Sequence, residues 1–167
     1  MSEIEHKKNA PTSVPYTILT ISDSRTLETD QSGKTIRSLM EEAHHLLIDH
    51  KIIPNQKSAI DVAIRTGLAS DAEVILLNGG TGISDRDKTY EVVQGLLEKK
   101  LDGFGEIFRF LSYQEMGSAA ILSRAIGGTI GKKAIFSMPG STKAVQLAVK
   151  TLLLKEIPHV LSELNKK

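Results

Sequence analysis

The stretch Val74–Gly82, with the sequence VILLNGGTG, decides the fold class of this chain. Its first four residues form a short, continuous apolar run, which is typical of a strand buried on both faces. A glycine-rich turn follows at once, and apolar residues at helical spacing resume at Val92 and Val93. A buried strand, a tight turn and a helix in this order indicate one unit of a parallel α/β sheet.

The same alternation occurs earlier in the chain and, less regularly, after it. Tyr16–Ile21 and Leu46–Ile53 are predicted strands, and an apolar helical stripe follows each, from Ile36 and from Ile60. Right-handed crossovers between parallel strands follow from this pattern. Ser22–Ser32 is predicted to be a loop. For the second half we expect helices at Ile107–Leu111 and Ala119–Ile126, a hairpin of Gly127–Ile130 with Ala134–Ser137, and a helix over Ser141–Leu154.

The composition indicates one globular domain. The chain has 167 residues, of which 40% are hydrophobic and 25% charged. We expect a flexible N-terminal arm at residues 1–14 and a single domain at 15–167. The net charge of +1 provides no basic field for nucleic acid or a membrane surface, and no apolar run approaches the roughly 18 residues of a membrane span. With no apolar leader segment, we expect a cytoplasmic protein that binds neither nucleic acid nor membrane.

Three loops are candidates for a common site, because ligands of open parallel sheets bind beyond the carboxyl ends of the strands. They contain Ser22 and Asp23 after the first strand, Asn78–Asp87 after the third, and Met138–Ser141 after the last predicted strand. The glycines Gly79, Gly80 and Gly82 let backbone N–H groups approach an anion, and Thr81 adds a hydroxyl. A plain tight turn is the alternative for this motif taken alone.

Other candidate residues have equally ordinary alternatives. Asp87 is suited to bind magnesium beside phosphate groups or, alternatively, to cap the next helix. Ser141 is suited to a helix N-cap with anion-binding N–H groups beside it, and Ser112 and Ser123 are further hydroxyl candidates. The absence of Cys excludes thiolate sites, and the five His lack the spacing of a zinc site. Neither a Walker loop nor a serine-hydrolase elbow occurs.

An ordered set of motifs, each weak alone, is highly specific in combination. The set comprises Thr20–Asp23, Asp30–Gly33, Gly79–Asp87, Gly103–Ser112, Ile121–Ala125 and Met138–Ser141. In this order they resemble the molybdenum cofactor biosynthesis protein B and molybdopterin adenylyltransferase family, over about Tyr16 to Leu164. The resemblance implies a three-layer α/β/α sandwich with a mainly parallel sheet, and a homo-oligomer, either trimer or hexamer.

The resemblance also implies a reaction and its residues. The phosphate of molybdopterin attacks the α-phosphate of ATP with Mg²⁺ present, pyrophosphate leaves, and the adenylylated product goes to a molybdenum-insertion enzyme. No permanently bound cofactor is implied. Asp87 corresponds to the family's catalytic aspartate and magnesium ligand. The residues that correspond to the substrate-binding loops, together with the two hydroxyl candidates, are Ser22, Asp23, Gly79, Gly80, Thr81, Gly82, Ser112, Ser123, Pro139, Gly140 and Ser141.

One position departs from the family. The adenylyltransferases carry an Ile-Pro-Asp step whose aspartate is linked to magnesium and catalysis, and here the step ends in Asn55. Loss of a carboxylate weakens the binding of hard cations, so two hypotheses stand: an adenylyltransferase in which Asn55 takes this catalytic position, or a catalytically weak or inactive molybdopterin-binding scaffold. A flavin-binding electron carrier is a third, less supported hypothesis. A tyrosine, Tyr90, replaces the proline that is common after the aspartate, which predicts a looser helix entry.

Overall fold

The computed structural model describes residues 11–166 of the chain. In this part, six strands form one sheet in the order β2-β1-β3-β6-β5-β4. The strands are β1 (Pro15–Ile21), β2 (Leu46–Ile53), β3 (Val74–Asn78), β4 (Lys99–Lys100), β5 (Ile126–Ile130) and β6 (Lys133–Met138). Neighbouring strands from β2 to β6 run parallel, whereas β5 is antiparallel to β6 and to β4. The predicted mainly parallel sheet is therefore confirmed.

Helices cover both faces of this sheet. They are α1 (Gln31–Glu42), α2 (Lys57–Ala69), α3 (Thr89–Leu96), α4 (Asp102–Met116), α5 (Thr142–Gln146) and α6 (Leu154–Leu164). A 3-10 helix (Gly117–Leu122) follows α4, and a π-helical stretch (Leu147–Leu153) joins α5 to α6. The implied three-layer α/β/α sandwich is confirmed.

The central strands are buried on both faces because their side chains alternate between two cores. Ile18 and Leu76 pack with residues of α1, α4, α5 and α6 on one face. Leu19 and Leu77 pack with residues of α2 and α3 on the other. All four side chains are at most 1% exposed, and burying each contributes about 1.5–3 kcal/mol to stability.

The predicted helix at Ala119–Ile126 is wrong at its end. The helical turn stops at Leu122, and β5 begins at Ile126, which lies opposite Ser137 of β6. Strand pairing with a neighbouring element therefore overrides the local apolar pattern. The two-residue strand β4 was not predicted, since a pair of exposed lysines carries no strand signal.

Two predicted boundaries also differ from the structure. The loop predicted to extend to Ser32 ends earlier, because the Asp30 side chain accepts a hydrogen bond from the Gly33 N–H and caps α1. Of the predicted arm at 1–14, residues 1–10 lie outside the described residues. At its end Val14 is fully buried, and its N–H donates to Nδ1 of His45 at 3.2 Å. Among the described helices, none is long and apolar enough to cross a membrane.

Candidate active site

The three predicted loops meet at one edge of the sheet because β1, β3 and β6 are adjacent in it. The Gly79 N–H donates to the Met138 carbonyl at 3.1 Å, which joins the loops after β3 and β6. A Cβ atom on Gly140 would lie only 3.0 Å from the Gly79 Cα atom. The sheet order thus brings together segments that are about 60 residues apart in the sequence.

The glycine turn after β3 requires glycine at two positions. Gly79 and Gly80 have φ angles of +91° and +65°, a region that other L residues rarely adopt. A Cβ atom on Gly79 would overlap the carbonyl oxygen of Ile21, and one on Gly80 would overlap the hydroxyl of Thr89. The turn therefore packs directly against the end of β1 and the start of α3.

Four backbone N–H groups at this edge have no hydrogen-bond partner within residues 11–166. They belong to Gly80 and Thr81 in one loop and to Gly140 and Ser141 in the other. Thr81 is only 5% exposed, so its N–H has little contact with bulk water. Gly80 and Gly140 are half-buried, and Ser141 is exposed. N–H groups without a protein acceptor favour an anionic ligand, because its oxygens can accept their hydrogen bonds.

Asp87 presents an ionised carboxylate beside the glycine turn. Its Oδ2 atom accepts hydrogen bonds from the Ser84 hydroxyl at 2.5 Å and from the Ser84 N–H at 3.1 Å. The Ser84 hydroxyl holds the pKa of Asp87 below its usual value, the Gly82 N–H and the Asn55 side chain lower it further, and partial burial opposes them. A carboxylate with these donors is preorganised to face a cation rather than to donate a proton.

Asn55 connects three loops at the edge of the sheet. Its backbone N–H donates to Oδ1 of Asp23 at 2.8 Å, and its side-chain oxygen accepts from the Lys88 N–H at 3.3 Å. The same oxygen would lie 3.0 Å from a Cβ atom on Gly80. Asn55, at the position where the resemblance to the adenylyltransferases implies an aspartate, thus lies among the loops of the candidate site and contacts the loop after β1 and the start of α3.

Of the three other predicted serines discussed next, two lie in the loops at this edge of the sheet and one does not. The Ser22 hydroxyl accepts from the Arg25 N–H at 3.1 Å and shapes the loop after β1. Ser141 caps α5 by accepting from the Ala144 N–H, as predicted. Ser112 is buried in α4, where it donates to Phe108 within its own helix, and it makes no hydrogen bond to the three loops in the described chain. The structure does not bring Ser112 to this edge.

Ser123 is followed by Arg124, whose side chain contacts the glycine turn. Arg124 donates from Nη1 to the Gly82 carbonyl at 2.8 Å and from Nη2 to Glu91. Its guanidinium also lies 4.3 Å from the centre of the Tyr90 ring. These contacts stabilise the entry of α3, whose N-cap residue Lys88 makes no side-chain cap hydrogen bond. The looser entry predicted from Tyr90 stays a prediction. Glu106 of the family motif is exposed on α4.

A buried polar network beneath the turn was not predicted. Asp30 is fully buried and accepts from the Thr20 hydroxyl at 2.6 Å and from Nε2 of His50 at 2.9 Å. The Asn78 side chain donates to Thr20 at 2.8 Å and accepts from the Ser32 hydroxyl at 2.8 Å. Because Asn78 directly precedes the glycine turn, this network fixes the base of the site.

Comparison with known proteins identifies the family of the chain. A family model described as "probable molybdopterin binding domain" matches residues 17–159. Molybdenum cofactor biosynthesis protein B of Bacillus cereus is 51% identical over 168 residues, covering 99% of each chain. The chain belongs to the molybdenum cofactor biosynthesis protein B family. The protein of the same name from Bacillus subtilis is 48% identical over the same coverage.

Solved structures of this family have the same fold. A crystal structure of a molybdenum cofactor biosynthesis protein B superposes with a TM-score of 0.92 at 50% identity, covering 95% of this chain and 100% of the other. The tungsten cofactor synthesizing protein MoaB from Pyrococcus furiosus superposes with a TM-score of 0.86 at 33% identity, covering 94% and 100%. The fold class predicted from the sequence is the family's fold.

The site offers few ligands for the magnesium ion that the family resemblance implies. Within the described residues, no three His, Cys, Asp or Glu side chains come close enough together to hold a metal. Asp87 lies beside Gly82, and the side-chain oxygen of Asn55 lies beside Gly80, so both offer hard oxygen ligands at the glycine turn. Since Mg²⁺ commonly takes one or two carboxylates together with phosphate oxygens, these residues fit an ion that arrives with a nucleotide.

Proposed function

We propose that the chain binds molybdopterin and transfers AMP from ATP to the molybdopterin phosphate. The observation that carries this proposal is the set of N–H groups in the loops after β3 and β6 that have no acceptor within residues 11–166, at the same edge of the sheet as the ionised Asp87. Two substrates that each carry phosphate need several anion-binding donors and one cation-binding group in one place. This edge of the sheet supplies both.

Adenylyl transfer requires the protein to position the two substrates and does not require a covalent intermediate with a protein side chain. A phosphate oxygen of molybdopterin forms a bond to the α-phosphorus of ATP, the bond from that phosphorus to the bridging oxygen of the β-phosphate breaks, and pyrophosphate leaves with the electron pair. The N–H groups of Gly80 and Thr81 would hold phosphate oxygens during this exchange. Asp87 would hold the Mg²⁺ that accompanies ATP, and that ion supplies neutralisation of the triphosphate charge.

A second function is favoured by one specific observation. At Asn55 the side chain is neutral and its oxygen is already engaged by the Lys88 N–H. A carboxylate that the resemblance implies at this position is therefore missing, and a catalytically weak or inactive molybdopterin-binding scaffold is the alternative. The two functions share the substrate and differ only in turnover.

One experiment tests both functions. Purified wild-type protein and the Asn55→Asp variant are incubated with molybdopterin, ATP and Mg²⁺, and pyrophosphate release is followed. Turnover by the wild type supports the transferase, and its absence with intact molybdopterin binding rejects it. Turnover gained only in Asn55→Asp supports the scaffold. If an active wild type is unaffected by the substitution, the scaffold hypothesis is rejected.

We also propose that the protein is a homo-oligomer, a trimer or a hexamer. Large apolar side chains between 49% and 83% exposed lie along α4 and the 3-10 helix that follows it. They are Ile107, Phe110, Tyr113, Met116, Ile121 and Leu122. A contiguous exposed apolar face of this kind favours burial against another copy of the chain. We refer to these six residues as the α4 face.

A further inference from the structure

Arg25 is a cation at the edge of the sheet to which neither the motifs nor the family comparison assign a role. It lies in the loop after β1, and its side chain is 35% exposed. Its Nη1 atom donates to the Ser32 hydroxyl at 2.6 Å, and its Nη2 atom donates to the Gly140 carbonyl at 3.1 Å. The side chain thus spans from the loop after β1 to the loop after β6.

The buried network around Asp30 holds the guanidinium of Arg25 in place. Its Nη1 atom lies 3.5 Å from Oδ1 of Asp30, whose carboxylate is fully buried and fixed by Thr20 and His50. Ser32, which accepts from Arg25, is itself hydrogen-bonded to this network. An arginine ordered in this way loses little side-chain entropy when it binds a ligand.

Part of the guanidinium remains free for a ligand. A guanidinium carries five N–H donors, and the contacts of Arg25 engage only its two terminal nitrogens. Its Nε–H has no hydrogen-bond partner within the described chain. Gly140 has no side chain that could cover the guanidinium on this side, and a Cβ atom there would lie 3.9 Å from Nη1. No side chain of Gly79 or Gly140 separates the guanidinium from the glycine turn.

We propose that Arg25 binds a phosphate group of the substrate, together with the unpaired N–H groups of Gly140 and Ser141. Arginine suits this task because its planar fork donates two parallel hydrogen bonds to phosphate oxygens. The buried network around Asp30 then acts on the substrate through Arg25, as a positioning element. The identity of the substrate that carries this phosphate rests on the proposed function. The binding of a phosphate group by Arg25 does not depend on it.

Binding of two probes by the Arg25→Gln variant tests the proposal. Wild type and variant are titrated with inorganic phosphate and, separately, with magnesium ATP, by calorimetry. Loss of a charged hydrogen-bond donor should weaken binding of at least one probe about 10- to 100-fold. Weakening for inorganic phosphate alone indicates a phosphate monoester as the ligand, and weakening for ATP indicates the nucleotide. Unchanged affinity for both probes overturns the proposal.

Two further variants make the result specific. Arg65→Gln removes an equally charged side chain from the exposed surface of α2, where it pairs with Asp61 at 2.8 Å, and should leave both affinities unchanged. Arg25→Lys keeps the charge but not the fork and should bind more weakly than wild type but more tightly than Arg25→Gln. If Arg25→Gln does not fold, wild-type affinity in a folded Arg25→Lys overturns the proposal.

The same variants separate this inference from the proposed function. If the wild type releases no pyrophosphate but Arg25→Gln weakens phosphate binding, the anion site stands and the transferase fails. If the wild type is active and Arg25→Gln retains both its turnover and its affinities, the transferase stands and the role of Arg25 is rejected.

Discussion

Asp87 is the residue on which the proposed chemistry depends most. We expect Asp87→Ala to abolish adenylyl transfer, since the carboxylate beside the glycine turn is lost. The fold should lose only about 0.5–1.5 kcal/mol for each of the two hydrogen bonds that the partly exposed carboxylate accepts from Ser84. Pyrophosphate release and urea unfolding measure the two effects. Asp85→Ala, an exposed carboxylate in the same loop, is the control. A normal rate in Asp87→Ala removes the residue from the mechanism.

Asp30 makes the stability of the fold sensitive to acid. Burial alone would raise the pKa of Asp30, but hydrogen bonds from His50, Thr20, the Gly33 N–H and Ser32 outweigh it and hold the pKa well below its usual 3.8. A lowered pKa means that the unfolded chain binds the proton first. The stabilisation is therefore complete above pH 3.8 and is lost as the pH falls toward the folded-state pKa.

The resulting prediction concerns the acid limb of the stability curve. Urea unfolding at a series of pH values below about 5 should show a steep loss of stability in the wild type. In Asp30→Asn this limb should be shallower, on top of a lower stability at neutral pH. Asp71→Asn, an exposed carboxylate, should retain the wild-type slope. Equal slopes in wild type and Asp30→Asn would contradict the assignment.

At the scale of single residues, the sequence predicts the residues of the candidate site better than the side chains that hold its loops in place. The glycines, Asp87 and Ser141 are recognisable because each belongs to a short local motif. Asp30 was noted only as part of a motif, since its partner His50 is 20 residues away in the chain. Arg25 contacts Gly140 across 115 residues, and no local pattern indicates such a contact. Ser112 was placed in the site by its motif, but helix packing turns it elsewhere.

Among the elements, the strands buried on both faces are the most predictable. β1 and β3 lie within about one residue of their predicted bounds, because parallel strands covered by helices need short, continuous apolar runs. β2 also has its predicted bounds, although it is an edge strand whose residues are exposed or half-buried. The hairpin of β5 and β6 was likewise anticipated around Gly131, which has a φ angle of +58°. β4 depends on pairing with β5, and the end of the 3-10 helix depends on the pairing of β5 with β6; propensity alone reveals neither.

The glycine turn and α3 give a matched test at this scale. Gly80→Ala should destabilise the fold by about 1–3 kcal/mol, because alanine must adopt a positive φ angle and its Cβ atom meets the Thr89 hydroxyl. Gly95→Ala places the same methyl group on exposed α3 with no atom within 4 Å and should stabilise the fold by up to about 1 kcal/mol. Thermal unfolding compares the two, and a tolerated Gly80→Ala would refute the tight packing of the turn.

For the whole molecule, sheet order explains how a site arises from separated segments. The loops after β1, β3 and β6 meet only because parallel crossovers place these three strands side by side. The alternation of strands and helices in the sequence predicts parallel strands, and the rule that ligands bind at their carboxyl ends then predicts a common edge. The order itself is not encoded locally, so it had to come from the structure.

Assembly of several copies is the prediction that belongs to this scale. We expect light scattering to give three or six times the 18.2 kDa of a single chain. Phe110→Glu should shift the mass toward that of one chain, because it places a charge at the centre of the apolar α4 face. Val62→Glu, on the exposed surface of α2, should leave the mass unchanged. A monomeric wild type, or an unchanged mass in Phe110→Glu, contradicts the assembly.

The strand β4 has a consequence for the solubility of the protein. It closes one side of the sheet with two exposed lysines, Lys99 and Lys100, paired to Thr129 and Gly128. An edge strand exposes unpaired backbone N–H and C=O groups, to which a strand of another molecule could hydrogen-bond. A very short and charged edge strand discourages such intermolecular pairing. Acetylation of both lysines would remove this electrostatic barrier, leaving only the shortness of the strand to prevent fibrous polymers.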